Sequence, residues 1–355
     1  MTVNILAQRL HNQLLSQTKF TQPSQVVAWL GAVQSQDYAG AKWAISQRTN
    51  GLSDVEIEQS FAEGEILRTH VLRPTWHFVA PEDIGWMLEL TAPRVRALLA
   101  FLDRQLEVDR KLIKQTNTLL RKALKGGKQR TRAELGSVLE RNDIQTDGLR
   151  LGHIVMHAEL DGILCSGARR GKQFTYALLE ERAPQAKALH REEALAELTK
   201  RYFRSHGPAT LRDFVWWSGL TMTEGRKGMD FVKSELEQEV IERQTYWFTP
   251  SRPGKKASMT VFLLPNYDEY TVGYTDRRAI FDLSHADKLP RESTLAQSIL
   301  VDGHVEGIWK RTLKGQEVAI ELSPFTMPTT EQKHAMITAT QQYGKFLGLP
   351  VVLTN

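Results

Sequence analysis

One pattern recurs along this chain and narrows what it can fold into: a capped helix, a second helix, then strand-like text with a polar or basic turn. It appears about three times. In the first instance the spacing predicts a helix over Thr21 to Val33, with Pro23 near its start, where a missing N–H is tolerated. A second helix is expected from Ser53 to Ala62, since Ser53 and Glu56 have capping-box spacing. Strand-like text then runs from Ile66 to Val79, broken at Arg73-Pro74 as a turn would break it.

The second instance opens at Thr131, with Glu134 as its capping-box partner, and continues through a helix from around Gly152 to Leu160. Ile163 to Ser166 and Phe174 to Ala177 read as two strands joined by the basic turn Gly167 to Lys172. That is the outline of a winged helix, a helix-turn-helix followed by a hairpin. In the third, a helix from Glu193 to His206 precedes Thr210, which can cap the short helix holding Phe214, Val215 and Trp216. Gly219 supplies a turn, Thr221 and Glu224 cap the next helix, and Tyr246-Trp247-Phe248 closes as a strand.

After Pro253 short apolar runs take over: Val261 to Leu264, Tyr270 to Val272, Ser298 to Val301 and Val318 to Leu322. They predict an antiparallel β region, followed by a helix from Thr330 to Gly344 and a short apolar tail. The expected class is α+β, mainly α, with tandem winged-helix (helix-turn-helix) motifs and a β-rich C-terminal segment. The segments are drawn at 1–95, 96–185, 186–252 and 253–355, with the last boundary near Ser251 to Lys256.

No apolar stretch approaches the ~20 residues that cross a bilayer, and Met1 to Arg9 do not have the form of a secretory leader. A cytoplasmic protein is expected. Cys165 is the only cysteine, so no intramolecular disulfide or thiolate cluster can form; its apolar neighbours mark it as a small buried hydrophobe. The net charge of +5 is modest, but its distribution is uneven. From Arg121 to Ala133 the chain carries Lys128, Arg130 and four other cations without an acid, and Arg169, Arg170 and Lys172 form a second group. Both are solvated surfaces or phosphate contacts; a hairpin tip favours the latter for Arg169 to Lys172.

The run Gln34-Ser35-Gln36-Asp37 ends the first helix. Amides at i and i+2 diverge on a helix, so they can act together only where the backbone straightens. Neutral amides are poor at moving protons, yet they can hold a water and turn carbonyl oxygens toward a developing positive charge. The structural alternative has Gln34 capping the helix end and Gln36 bonding its own backbone, with Asp37 fixing the turn. His77 follows a strand-like run; it reads as a satisfied core residue, or as a group that reaches nucleic acid or orients a glutamine. Arg73 and Thr75 share its alternating face, as phosphate contacts if exposed and as hairpin packing if not. His153 and His157 are four apart on a helix, but Ile154 stands where a zinc protease has its glutamate, and no metal is expected. Asp268 and Glu269 are the best carboxylates for a supporting base, or else a buried link. Trp216 and Trp217, with Phe214 nearby, read first as core packing at an interface and second as a stacking surface.

Taken in order, several stretches resemble the winged-helix DNA glycosylases of the AlkZ and YcaQ type across nearly the whole chain. They are Gln34 to Asp37 with Ala41-Lys42-Trp43-Ala44, Arg68-Thr69, Arg73 to His77, Arg169 to Tyr176, Gly207 to Trp217, Leu264 to Tyr270, Asp302-Gly303 and Gly307-Ile308-Trp309. The resemblance implies tandem winged-helix motifs around duplex DNA and monofunctional removal of N-alkylated purines, with unhooking of interstrand crosslinks as an extension. It carries the catalytic pair of a Gln-x-Gln motif onto Gln34 and Gln36; Asp37 lies one position too late for the Gln-x-Asp of the other branch. Asp37, His77 and Asp268 are supporting candidates. Arg73, Thr75, Lys128, Arg130, Arg169, Arg170 and Lys172 are the candidate DNA contacts. No cofactor is expected, and a monomer suffices because one chain already supplies several contacts. An N7-alkylated purine departs without a general acid, so two amides, each contributing on the order of 3 kcal/mol, match that chemistry. Lys42, the nearest lysine, lies beyond the turn, so a Schiff base is not indicated. The competing reading is a winged-helix regulator that binds undamaged DNA without chemistry.

Overall fold

The computed structural model describes residues 3–17, 20–250, 259–288 and 297–354. The boundary expected near Ser251 to Lys256 lies outside them.

The N-terminal segment holds α1 (Ile5–Asn12), α2 (Pro23–Leu30), β1 (Val33–Gln34), α3 (Tyr38–Ser46), α4 (Asp54–Glu63), β2 (Leu67–His70), β3 (Trp76–Val79) and the long α5 (Ile84–Gln105). The first helix of the pattern stops earlier than expected. Gly31 takes φ +85°, a conformation that costs a Cβ-bearing residue, and the chain leaves the helix there. Val33 and Gln34 consequently form a strand, not a helix end, and the small sheet has the order β1-β3-β2. The Ser53–Glu56 capping box is present.

Next come α6 (Arg110–Leu124), β4 (Arg130–Thr131), α7 (Arg132–Glu140), α8 (Arg150–Leu160), β5 (Leu164–Ser166), β6 (Thr175–Leu178) and α9 (Leu179–Arg182). Thr131 and Glu134 cap α7 reciprocally, and β5 and β6 pair antiparallel across the basic turn, as the sequence predicts. The third run is α10 (Arg191–His206), α11 (Leu211–Ser218), α12 (Met222–Val232), β7 (Glu237–Ile241) and β8 (Gln244–Phe248). Gly219 ends α11 at φ +70°, where a Cβ would meet the Leu72 carbonyl oxygen at 2.2 Å.

The C-terminal segment is β9 (Val261–Leu264), α13 (Glu269–Val272), β10 (Ser298–Val301), β11 (His304–Lys314), β12 (Glu317–Pro324), α14 (Thr330–Leu347) and β13 (Val351–Thr354). Two expectations are corrected here. Tyr270 to Val272 is a helical turn, because Asp268 accepts the Tyr270 N–H and closes the chain locally despite the β-prone side chains. The sheet, ordered β13-β12-β11-β10-β9, is not wholly antiparallel: α14 carries the chain back so that β13 pairs parallel with β12.

The cores decide where the site sits. Val26, Leu30, Phe61 and Phe78 pack with Leu263, Ile299, Trp309 and Tyr343, fusing the first segment to the C-terminal sheet. Leu67, Val79 and Met87 pack with Tyr202, Phe214 and Trp217, fusing it to the third. The second segment has a separate core built on Leu120, Leu135, Ile154 and Tyr176. A cleft lies where its hairpin and the start of α7 face β1 to β3.

Candidate active site

Backbone pairing straightens the chain at the glutamines. Gln34 lies opposite His77 in the β1–β3 ladder, and the Ser35 N–H donates to the Trp76 carbonyl at 2.7 Å. The strand ends at Gln34, and Gln36 lies in the bend that follows it. Their surroundings then diverge. Gln34 is 7% exposed, whereas Gln36 is open to solvent.

Behind Gln34 stands a buried node centred on Glu269. One carboxylate oxygen accepts the Gln34 N–H at 2.8 Å. The other accepts Trp217 Nε1 at 2.9 Å and faces His206 Nε2 at 3.4 Å. Burial would raise the carboxyl pKa, but the His206 contact and the Gln34 N–H outweigh it and hold it below the usual range, so Glu269 stays ionised. Arg73 bridges outward, giving Nη2 to Gln34 Oε1 at 2.8 Å and Nη1 to the Trp217 carbonyl. The guanidinium fixes the amide orientation: a donor-only group selects the oxygen and leaves Gln34 Nε2 pointing elsewhere. His77 is fully buried, its Nδ1 on the Thr75 carbonyl at 3.0 Å; burial and then Arg73 push its pKa down to about 3, and it is neutral. Among the described residues His77 Nε2, Thr69 Oγ1 and Thr75 Oγ1 are buried without hydrogen-bond partners, and Thr69 flanks His77 in the sheet.

Gln36 instead lines an open cleft of about 500 Å³ with Arg68, Trp76, Arg132, Lys172, Phe174 and Tyr176. The Arg68 guanidinium lies 4.3 Å from the Trp76 ring and 4.5 Å from Phe174. Desolvation pulls its pKa down to about 10, still charged at neutral pH. Its Nε and Nη2 hold the Ser35 carbonyl at 3.3 and 3.1 Å, which locks the residue between the two glutamines. Gln36 Oε1 accepts the Trp76 N–H at 3.4 Å, leaving its NH₂ and one lone pair for a ligand or water.

The remaining predicted residues are spread over several places. Asp37 caps α3 through the Gly40 N–H at 3.0 Å, and Asp268 binds Arg48 through both oxygens at 2.9 and 2.7 Å in the interior. Neither lines the cleft, nor does His77. On the hairpin, Arg169 lies over the Tyr38 and Phe174 rings, Arg170 pairs with Glu134 at 2.8 Å, and Lys172 reaches the cleft. Lys128 is exposed, while Arg130 turns back to the Ala123 carbonyl. Trp217 is core; Trp216 is partly exposed, with Nε1 on the Val272 carbonyl at 3.1 Å.

Three comparisons bear on this arrangement. The family model described as DNA glycosylase AlkZ-like matches residues 27–346. The chain belongs to the AlkZ-like DNA glycosylase family. It is 26% identical over 344 residues to an interstrand DNA cross-link repair glycosylase of Streptomyces sahachiroi, covering 92% of this chain and 91% of that one. Its fold is similar to that of the solved Streptomyces sahachiroi DNA glycosylase AlkZ, with a TM-score of 0.81 over the whole of both chains at 22% identity.

In this AlkZ-like chain the aromatic and guanidinium wall of the cleft is what sequence reasoning missed. Arg68 and His70 alternate on β2 toward the second segment, where His70 bonds Glu159 of α8 and its ring lies 4.4 Å from Trp76. Period-two spacing could have paired Arg68 with His70. It could not have revealed that Phe174, more than a hundred residues later, closes the stack.

Proposed function

We propose that this AlkZ-like protein is a monofunctional DNA glycosylase that hydrolyses the N-glycosidic bond of cationic N7-alkylated purines and unhooks interstrand crosslinks formed through such purines. The observation that carries the reading is Gln36 on the rim of an open cleft, just past a strand end that buried Glu269 and Arg68 hold through Gln34 and Ser35. A lesion already bearing positive charge needs no acid to leave. Gln36 orients a water toward the anomeric carbon through its free amide positions, and the strand's amide dipoles face the developing oxocarbenium character.

Gln34 has a different part. With its oxygen held by Arg73, it sets the strand and presents Nε2, so the carbonyl-to-cation role expected of both amides falls mainly to Gln36. Trp76, Phe174 and Tyr176 supply flat apolar surface for an unstacked base, and Arg132 and Lys172 supply cations for the flanking phosphates. The openness of the cleft supports bulky adducts. The helix pairs and hairpins at 1–95, 96–185 and 186–252 are read as winged-helix motifs that lay Arg170, Lys172 and Lys128 along the duplex, the protein acting as a monomer. Lys42 is buried in ion pairs with Asp54 at 2.9 Å and Glu58 at 2.6 Å, which supports hydrolysis without a lyase step.

The test is release of 7-methylguanine from methylated duplex DNA, run beside unhooking of a crosslinked duplex. Base release by wild type establishes glycosylase chemistry, and unhooking extends it to crosslinks. Tight binding of one undamaged sequence with no release from either substrate identifies a DNA-binding regulator instead.

A further inference from the structure

Helix α8 carries two polar clusters on opposite faces. Glu159 turns toward His70 beside the cleft. His153 and His157, one helical turn apart, face the other way onto Asp103 near the end of α5. The Nε2 atoms of both imidazoles converge on the same oxygen, Asp103 Oδ1, the His157 contact being 2.7 Å. All three donor atoms lie within 4.8 Å of one another. We infer that Asp103, His153 and His157 form a divalent transition-metal site, best matched by Zn²⁺, that clasps α5 to α8.

The donor set is the first support. Two imidazole nitrogens and one carboxylate oxygen are ligands that zinc accepts in tetrahedral sites, with a fourth position left for water. Ligands about 2.0–2.1 Å from a tetrahedral zinc stand about 3.3 Å apart, so the carboxylate need withdraw by less than about 1 Å. Charge is the second. Among the described residues no Lys or Arg forms an ion pair with Asp103. The carboxylate is balanced only by imidazoles, and the cluster attracts a cation. Access is the third: both histidines are buried, but the Asp103 side chain is 21% exposed and opens the site to solvent.

The ion would be structural. It joins the helix that ends the first segment to the one that buttresses the cleft from the second, and it lies outside the glycosylase residues.

The decisive experiment titrates chelator-treated protein with Co²⁺ and Zn²⁺. The expected result is one ion per chain, a strong visible Co²⁺ spectrum of four-coordinate type that Zn²⁺ bleaches, and a melting temperature that rises with Zn²⁺ concentration. His157→Ala and Asp103→Asn should each weaken Zn²⁺ binding by about 100-fold or more. Binding should also fade on acidification as protons compete for the imidazoles. Circular dichroism confirms that each variant is folded; where His157→Ala is not, the near-isosteric Asp103→Asn and the wild-type Co²⁺ spectrum decide. No stoichiometric binding, an octahedral water-dominated Co²⁺ spectrum, or affinity unchanged in the folded variants would show that the cluster is a hydrogen-bonded strap only.

Discussion

Gln34 and Gln36 are two residues apart, Gln34 ending β1 and Gln36 in the bend beyond it, and one belongs to the interior and the other to the surface. Gln34 is pinned at both ends, its backbone N–H on Glu269 and its side-chain oxygen on Arg73. Gln36 makes one long hydrogen bond among the described residues and lines the cleft. A repeated residue type need not mean a repeated role. The inner amide holds the strand in register, and the outer one is placed to meet a ligand.

The largest effect that could break this contrast is expected at the inner node. Glu269→Ala leaves the Gln34 N–H, Trp217 Nε1 and His206 facing an unfilled space, and should cost about 3–5 kcal/mol of stability, read from denaturant unfolding. A stability close to wild type would show that the node does not hold the strand. Next in size is a pH effect. The folded His77 pKa of about 3 lies below its unfolded value near 6.5, so only the unfolded state takes up a proton as pH falls between them. Stability from this group is complete above about pH 6.5 and falls by about 3 kcal/mol on going to pH 4.5. Comparing the pH slope of His77→Gln with that of wild type over this window isolates the contribution, and equal slopes would remove it.

On the surface side, Gln36→Ala should slow base release by about 100-fold while leaving unfolding and DNA affinity nearly unchanged. Gln34→Ala should lower both stability and rate, since it uncouples Arg73. The smallest effect belongs to the hairpin. Lys172→Ala should reduce the magnitude of the slope of log affinity against log salt by about 1, with little change in rate once DNA is saturating.

Much of the fold was legible because its signals are local. Ser53–Glu56, Thr131–Glu134, Thr210 and Thr221–Glu224 announce helix starts by side-chain chemistry within four residues, and each caps where expected. Less legible were features set by distant partners. Pro93 falls inside α5 and masks its continuity, and the β12–β13 pairing depends on the intervening α14. At the site, the straightened backbone around the glutamines followed from the need for i and i+2 to act together. The burial of Gln34 did not, because Arg73 and Glu269 reach it from 39 and 235 residues away. Neutral amides carry no local mark that tells a buried anchor from an exposed dipole.

The most direct test of the central claim is the single-turnover rate of 7-methylguanine release by Gln36→Ala, measured with DNA saturating and the melting temperature recorded. The account predicts a rate about 100-fold below wild type from a protein that binds DNA and melts as wild type does. A wild-type rate from that variant would contradict it and move the chemistry away from the cleft that Gln36 lines.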